Sequence, residues 1–522
     1  MPPSRPLTAA RRHQRSLSNR NQNYARPVQK SHASGKNGHA FLLCEVCYHF
    51  AMLFHAPHHS PATETAATER WQPEQRHAAR RLVWLVDPIG AIPGEGLLPS
   101  RTWAVARALV AAGHEVIWWT SSYSHTRGIG RTPPLQIVAE EGFQVKLVAA
   151  RRYRQEFSLA RFASHRDFAR TFERVACEAV AAGQLGRPDL LVATLPPPET
   201  VDAAVRVARR LDAELVVDVT EWWPEPLRPL IPGPAWLAAA VAAVRFPAIS
   251  RQQRQLLGQA DALLAGSQTT ANQLVSPETA KLPLKVVPTG SYVQDYVPPR
   301  PLIDRVPAPG RNGQPPVDPS PPLAIAVAGD LDDKADLLRL VDLARALSSR
   351  GVNAELRVVG RGRWMPRLEA AAPLLKGSCR IAVLGPVDRS RYVGLLADCQ
   401  AGLVLPGLLD RFPLPAVASD YAAAGLAVVL AGAGELADLV TAAEAGVVAD
   451  DAEPDSLAAA IATLTASAQQ LSRHRQAARR LAETRLDRER LAAELVAWLE
   501  SLASPQPSAG GSNQLLHELE QA

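Results

Sequence analysis

Residues 420–440 run Asp420-Tyr-Ala-Ala-Ala-Gly-Leu-Ala-Val-Val-Leu430-Ala-Gly-Ala-Gly-Glu435-Leu-Ala-Asp-Leu-Val440. The order is a helix end, a glycine stop at Gly425, a short buried strand, a glycine-rich turn and a new helix opening at Glu435. A turn of that kind leaves backbone N–H groups free at the N-terminus of the new helix, and such donors suit a phosphate or a sugar hydroxyl. Gly434 and Glu435 are therefore candidate ligand contacts. Asp420, one strand earlier, is placed to accept the two hydroxyls of a ribose. A helix-start acid favoured by the helix dipole explains Glu435 and Asp420 equally well in kind.

The same strand–turn–helix alternation extends in both directions. Leu82–Val86, Glu115–Thr120, Leu190–Thr194 and Leu215–Val219 read as buried strands, with helices over Thr102–Ala112 and Thr200–Leu211. A glycine loop, Asp87-Pro-Ile-Gly-Ala-Ile-Pro-Gly94-Glu95-Gly96, follows the first of them. After residue 322 the alternation restarts, with strands at Leu323–Ala328, Glu355–Val359, Ile381–Leu384, Ala401–Leu405, Val428–Leu430 and Val447–Val448. Helices are expected at Leu337–Ser349, Ser390–Asp398, Asp455–Ser467 and Gln476–Leu502. Such alternation predicts an α/β protein with two doubly wound, Rossmann-like parallel sheets facing across a cleft. Ten prolines in the 25 positions 298–322 mark an extended connector between them. The expected organisation is a basic, disordered extension over 1–79, a first domain over 80–297, the linker 298–322, a second domain over 323–503 and a tail over 504–522.

Composition narrows the function. Net charge is +6, but residues 1–40 hold eight Lys and Arg and no acid. The remaining chain is close to neutral, so a nucleic-acid partner is not inferred. Five cysteines in 522 residues do not make a disulfide framework. Cys177, Cys379 and Cys399 read as reduced core residues, which favours a cytoplasmic location. No run reaches the roughly 18 apolar residues of a spanning helix. Pro234–Val244 is apolar and ends at Arg245; the balance favours a buried Ala-rich helix over one resting on a membrane surface. Cys44-x-x-Cys47 with His49, His55, His58 and His59 has zinc-ligand residue types but not zinc-finger spacing, so no metal is expected.

The acid-Tyr-x-Ala-Ala-Gly-Leu-x-Val-Val pattern followed by Gly-Glu-Leu is similar to the nucleotide-sugar-binding stretch of GT-B glycosyltransferases of the family 4 type (group 1). The first domain resembles the bacterial cell-surface polysaccharide members of that class. The likeness lies in Gly94-Glu-Gly-Leu-Leu-Pro-Ser-Arg101-Thr-Trp, in His114-Glu-Val-Ile-Trp-Trp-Thr-Ser-Ser-Tyr-Ser-His125, in Arg187-Pro-Asp, in Val216-Val-Asp-Val-Thr-Glu221-Trp-Trp-Pro-Glu225 and in Val287-Pro-Thr-Gly290. The resemblance spans residues 80–500. It implies a retaining hexosyl transfer from a nucleotide-diphosphate sugar to a glycan or lipid-linked acceptor. It also implies no tightly bound metal or other cofactor, and peripheral contact with the inner face of the membrane. Where members of the family carry a basic pair after the first strand of the second domain, this chain reads Gly329-Asp330-Leu-Asp-Asp-Lys334. Where many carry two glutamates eight apart, it has Phe412 and Asp420. These departures keep two alternatives open, a weakly active or inactive GT-B scaffold subunit and a GT-B nucleotide-sugar epimerase.

Glycosyl transfer charges the leaving diphosphate as the anomeric bond lengthens, so cationic and N–H donors placed there favour the transition state. Candidate donor contacts are Lys334, Arg361, the Gly434–Glu435 turn, Asp420, and Gly94 and Gly96 of the first glycine loop. Lys334 as a solvated helix-start residue and Arg361 as a turn residue are the plain alternatives. Glu95, Glu221 and Glu225 are candidate proton takers for the acceptor hydroxyl. Trp222 and Trp223 offer a flat face for a sugar, with Arg101 and His125 as further acceptor contacts. Core tryptophans flanked by surface acids account for the same residues.

Overall fold

The computed structural model describes residues 80–95, 97, 99–131, 136–138, 141–153, 158–222, 235–298, 321–409 and 412–502. The basic extension with its Cys44–His59 cluster, Gly96, Trp223, Glu225, most of the Pro-rich linker and the tail lie outside the described residues.

Strands in the first lobe are β1 (Leu82–Val86), β2 (Glu115–Ser121), β3 (Tyr123–Ser124), β4 (Ile129–Gly130), β5 (Gln136–Val138), β6 (Gln144–Val148), β7 (Leu190–Leu195), β8 (Glu214–Val219), β9 (Ala262–Ala265) and β10 (Leu284–Val286). Its main sheet has the order β10-β9-β8-β7-β1-β2-β6-β5. All neighbours are parallel except the β5–β6 pair at the edge. The second lobe holds β11 (Leu323–Ala328), β12 (Ala354–Val359), β13 (Cys379–Gly385), β14 (Ala401–Leu403), β15 (Ala427–Ala431) and β16 (Gly446–Ala449), wholly parallel, in the order β13-β12-β11-β14-β15-β16. Counted within each lobe, both sheets contain the Rossmann order 3-2-1-4-5-6. β1 and β11 are apolar throughout because helices cover both faces of a parallel sheet.

Each sheet is packed on two sides. In the first lobe Trp84, Trp119, Phe168 and Phe172 fill one face, while Leu85, Leu109, Trp118 and Phe143 fill the other. Leu340, Leu347, Leu356 and Ile461 fill one face of the second lobe; Leu396, Tyr421, Val440 and Leu481 fill the opposite face. Helix starts are set by side-chain caps, Ser100 accepting from Trp103 N–H at 3.2 Å and Asp388 from Arg391 N–H at 2.9 Å.

Two sequence expectations change. The single helix over Gln476–Leu502 is two helices, Ala468–Leu481 and Arg488–Leu502, separated by a π-helical turn at Ala482–Leu486. The break has a cause: Ser291 N–H donates to Leu486 O and Arg488 N–H donates to Ser291 O, so the chain pairs with the hinge instead of continuing the helix. The first helix stays in the core of the second lobe; the last places Leu491, Leu495, Val496 and Leu499 in the core of the first lobe. The second change concerns the Ala-rich segment. It forms helix Ala235–Leu257, which buries only the side carrying Ala242, Phe246, Ile249, Gln253 and Leu257. Trp236 and Val244 are 71% and 75% exposed, so the buried-helix expectation does not hold. No helix among the described residues is long and apolar enough to cross a membrane.

Candidate active site

The C-terminal edges of the two sheets face each other, and two contacts span the gap. Beyond β12, Arg361 donates Nη1–H to Thr126 O of the β3–β4 hairpin at 2.6 Å. Beyond β15, the Glu435 carboxylate accepts the backbone N–H of Gln268 and Thr269, just past β9, at 2.8 and 2.7 Å. The sheet switch points, β1/β7 and β11/β14, therefore open toward the same cleft, where doubly wound sheets bind ligands.

The loops after β11 and β12 interlock at the second-lobe wall. A Cβ on Gly360 would lie 2.0 Å from Gly329 O, and one on Gly362 would lie 2.4 Å from Leu331 O, with φ at +143° and +125°. Only glycine allows both the approach and the conformation. Asp330 accepts the Arg361 N–H at 3.1 Å and Asp332 the Arg363 N–H at 3.0 Å. Asp330 thus braces the neighbouring loop. Lys334 opens helix Lys334–Ser349 behind the Asp333 cap. Its side chain is exposed and has no hydrogen bond or ion pair within the described residues. A cation at a helix N-terminus opposes the dipole by about 0.3–1 kcal/mol, a cost that a bound anion offsets. Gly434 precedes helix Glu435–Ala442 with no side-chain cap, and the space beside it and Gly432 is open.

Asp420 is not presented to the cleft. It is 8% exposed. Its Oδ1 accepts from Ser291 Oγ at 2.6 Å and its Oδ2 from Tyr392 OH at 3.3 Å. Burial raises its pKa, against the opposing pull of Ser291, Arg488, Tyr392 and Tyr296. In this arrangement the acid ties the second lobe to the hinge rather than facing the cleft, as the ribose expectation would have it. Arg488 completes that hinge, donating to Thr289 O, Pro99 O and Gly290 O at 3.0, 2.6 and 2.7 Å, with its guanidinium 4.9 Å from the Tyr292 ring. The tyrosine of the acid-Tyr motif is structural as well. Tyr421 OH accepts the Ala328 N–H at 2.7 Å, and its ring lies where a side chain at residue 402 would stand.

Three first-lobe candidates are likewise engaged in the fold. Glu95 accepts from Arg131 Nε and Nη2 at 3.0 and 3.1 Å and from Ile92 N–H at 3.0 Å. Burial raises its pKa, but the Arg131 bonds and charge outweigh that and lower it, which makes it a poor proton taker. Arg101 grips Asp218 with Nε and Nη2 at 2.7 and 3.3 Å and donates to Val287 O and Pro288 O; its donors are spent on the fold, not on an acceptor. Trp222 is 7% exposed, a core residue with the Arg254 guanidinium 5.7 Å from its ring. Glu221 is buried beside it. His125 remains at the cleft rim, hydrogen-bonded to the Tyr153 hydroxyl and next to Thr126, which receives Arg361. Gly94, at φ +85°, faces open space.

Sequence reasoning missed Ser291, Tyr392 and Arg488, whose roles come from distant partners. It also missed Glu199, in the first turn after β7. Its Oε2 is buried without a hydrogen-bond partner, and burial pushes its pKa to about 7. Three prolines before an acid at a strand end were the available signal. Among the described residues no group of three or more His, Cys, Asp or Glu is arranged to hold a metal.

Known proteins agree with this architecture. Residues 314–481 match the family described as glycosyl transferases group 1, and residues 98–290 match the glycosyl transferase 4-like domain. The chain belongs to the group 1 GT-B glycosyltransferases. It is 34% identical over 167 residues to a GDP-mannose-dependent alpha-(1-6)-phosphatidylinositol dimannoside mannosyltransferase of Mycobacterium tuberculosis; the match covers 32% of this chain and 40% of that protein. Among solved structures it resembles sucrose-phosphate synthase of Thermosynechococcus elongatus, with TM-score 0.61, 15% identity and coverage of 81% and 99% of the two chains. It also resembles Anabaena HepE in complex with UDP-glucose, with TM-score 0.54, 15% identity and coverage of 81% and 100%.

Proposed function

We propose that this chain transfers a hexosyl residue from a nucleoside-diphosphate sugar to a glycan or lipid-linked acceptor, with retention at the anomeric carbon. The observation that carries the reading is the pairing of two open features on the cleft side of the second lobe. One is Lys334 at a helix start, which has no partner among the described residues, the other the uncapped Gly434 turn. Both supply positive potential where a diphosphate gains charge as the glycosidic bond breaks. A mannosyl donor named for the mycobacterial relative and a UDP-glucose named for HepE support an activated hexose as the donor class.

Isothermal titration with UDP-, GDP- and dTDP-sugars tests this. Binding of at least one nucleotide is expected, weakened at least about tenfold by Lys334→Ala, a surface substitution that should alter stability by no more than about 0.5 kcal/mol. Failure of every nucleotide to bind would overturn the proposal. The sequestered Asp420 and the loop-bracing Asp330 favour the scaffold reading instead. That alternative predicts no turnover with any donor–acceptor pair.

A further inference from the structure

We infer that the groove between helices Leu159–Ala181 and Pro198–Leu211, on the first lobe, binds a small phosphate-bearing anion. The groove has a volume of about 370 Å³. Arg170 and Arg174 line it from the first helix and Arg210 from the second; the buried Cys177 lines it as well. Cys177 stands near the end of its helix and Arg210 in the last turn of the other. These helices lead into the N-terminal ends of β7 and β8, so the groove lies at the opposite edge of the sheet from the cleft.

The charge balance carries the inference. The carboxylates at the groove are already engaged: Glu173 accepts from Arg206 Nε at 2.8 Å and Glu178 from Arg174 Nη1 at 3.0 Å. Arg170 and Arg210 have neither a hydrogen bond nor an ion pair among the described residues. Arg170 and Arg174 are one turn apart on the same helix face, a like-charge spacing that destabilises a helix. Burial raises the Cys177 pKa, Arg210 pulls it down and Glu173 pushes it up, which places the Arg210 charge near the thiol. The helix dipole favours Arg210 in a last turn, but it gives no reason for Arg170 in mid-helix. An anion set among the three guanidinium groups relieves their repulsion. Forks of donors arrive from two helices, and a phosphate offers acceptor oxygens on every side with close to two negative charges, where a carboxylate offers one edge. The volume lies within the range of small-molecule sites, about 300–1,000 Å³. The inference goes beyond the proposed transfer chemistry and does not depend on it.

Hydrogen–deuterium exchange of the full-length protein with inorganic phosphate, pyrophosphate and glucose 1-phosphate tests the assignment, with sodium chloride at matched ionic strength as the control. At least one phosphate should slow exchange across residues 170–181 and 202–211 in a saturable way, and chloride should not. The compound that protects at the lowest concentration distinguishes a bare anion from a phosphate ester. Arg170→Gln combined with Arg210→Gln should raise the half-protecting concentration at least about tenfold, and Arg170→Gln alone should shift it less in the same direction. Both residues are exposed, so the thermal midpoint without ligand should stay unchanged. Lys334→Ala is the internal comparison, since it should weaken phosphate binding in the cleft and leave protection of the groove as in the wild type. Four results would overturn the inference: no protection of the two helices by any phosphate; equal protection by chloride; protection that survives in the double variant; or protection of the groove that disappears in Lys334→Ala.

Discussion

Glu435, on the second lobe, accepts the backbone N–H of Gln268 from across the cleft at 2.8 Å, and its other oxygen takes Thr269 N–H. A residue read as a sugar contact thus caps a first-lobe helix and holds the lobes together. A donor at the Gly434 turn must share or displace that carboxylate.

Removing the cap should open the cleft. A capping interaction contributes about 1 kcal/mol, so Glu435→Ala should shift the closed–open balance roughly fivefold. Small-angle scattering of the nucleotide-free protein should then show a larger radius of gyration; an unchanged radius would remove the latch role.

Asp420 should govern stability rather than nucleotide affinity. Its folded pKa is raised, so the folded state holds the proton more tightly than the unfolded chain. Its contribution is fully present below about pH 4 and is lost as pH rises through the raised value. Asp420→Asn should flatten that slope and leave nucleotide affinity within about twofold, whereas Asp420→Ala, by orphaning Ser291 and Tyr392, should cost about 1–3 kcal/mol. A large loss of affinity in Asp420→Asn at constant stability would restore the ribose role.

Glu199 carries the same sign in a defined window. Its folded pKa near 7, against 4.5 unfolded, means that wild-type stability falls between pH 4.5 and about 7 as the unfolded chain releases the proton first. The loss is at most about 3 kcal/mol. Glu199→Gln should erase it, read as thermal midpoints at pH 5 and pH 8; a midpoint difference identical to wild type would contradict the buried, neutral acid.

The Arg101–Asp218 pair should behave as a buried structural bridge. Arg101→Ala leaves Asp218 unpaired and should cost about 3–5 kcal/mol in denaturant unfolding. Arg101→Lys loses the two-pronged geometry and should fall between. If Arg101 served the acceptor, its loss would raise the acceptor KM with unfolding unchanged.

Element types were legible because their signals are local. Leu82–Val86 and Leu323–Ala328 are unbroken apolar runs that end where the structure ends β1 and β11. Glu435 begins a helix as the glycine turn foretold. Polar residues at strand ends were harder. Asp420, Glu95 and Arg101 have the chemistry of ligand contacts and stand in the right loops, yet each is satisfied by partners remote in the chain. Ser291 is 129 residues from Asp420, and Asp218 is 117 from Arg101. Nothing in a local pattern records such a pairing.

Periodicity and turn chemistry in the sequence alone determined two parallel sheets and their glycine loops, while the resemblance of its motifs pointed to the family. Tertiary structure alone decided which polar groups stay open to the cleft, where the last helix lands, and that the Ala-rich helix turns an apolar face to solvent. The reason is physical: a backbone dihedral preference is set by a residue and its neighbours, whereas burial and hydrogen-bond satisfaction are set by whatever the folded chain brings alongside.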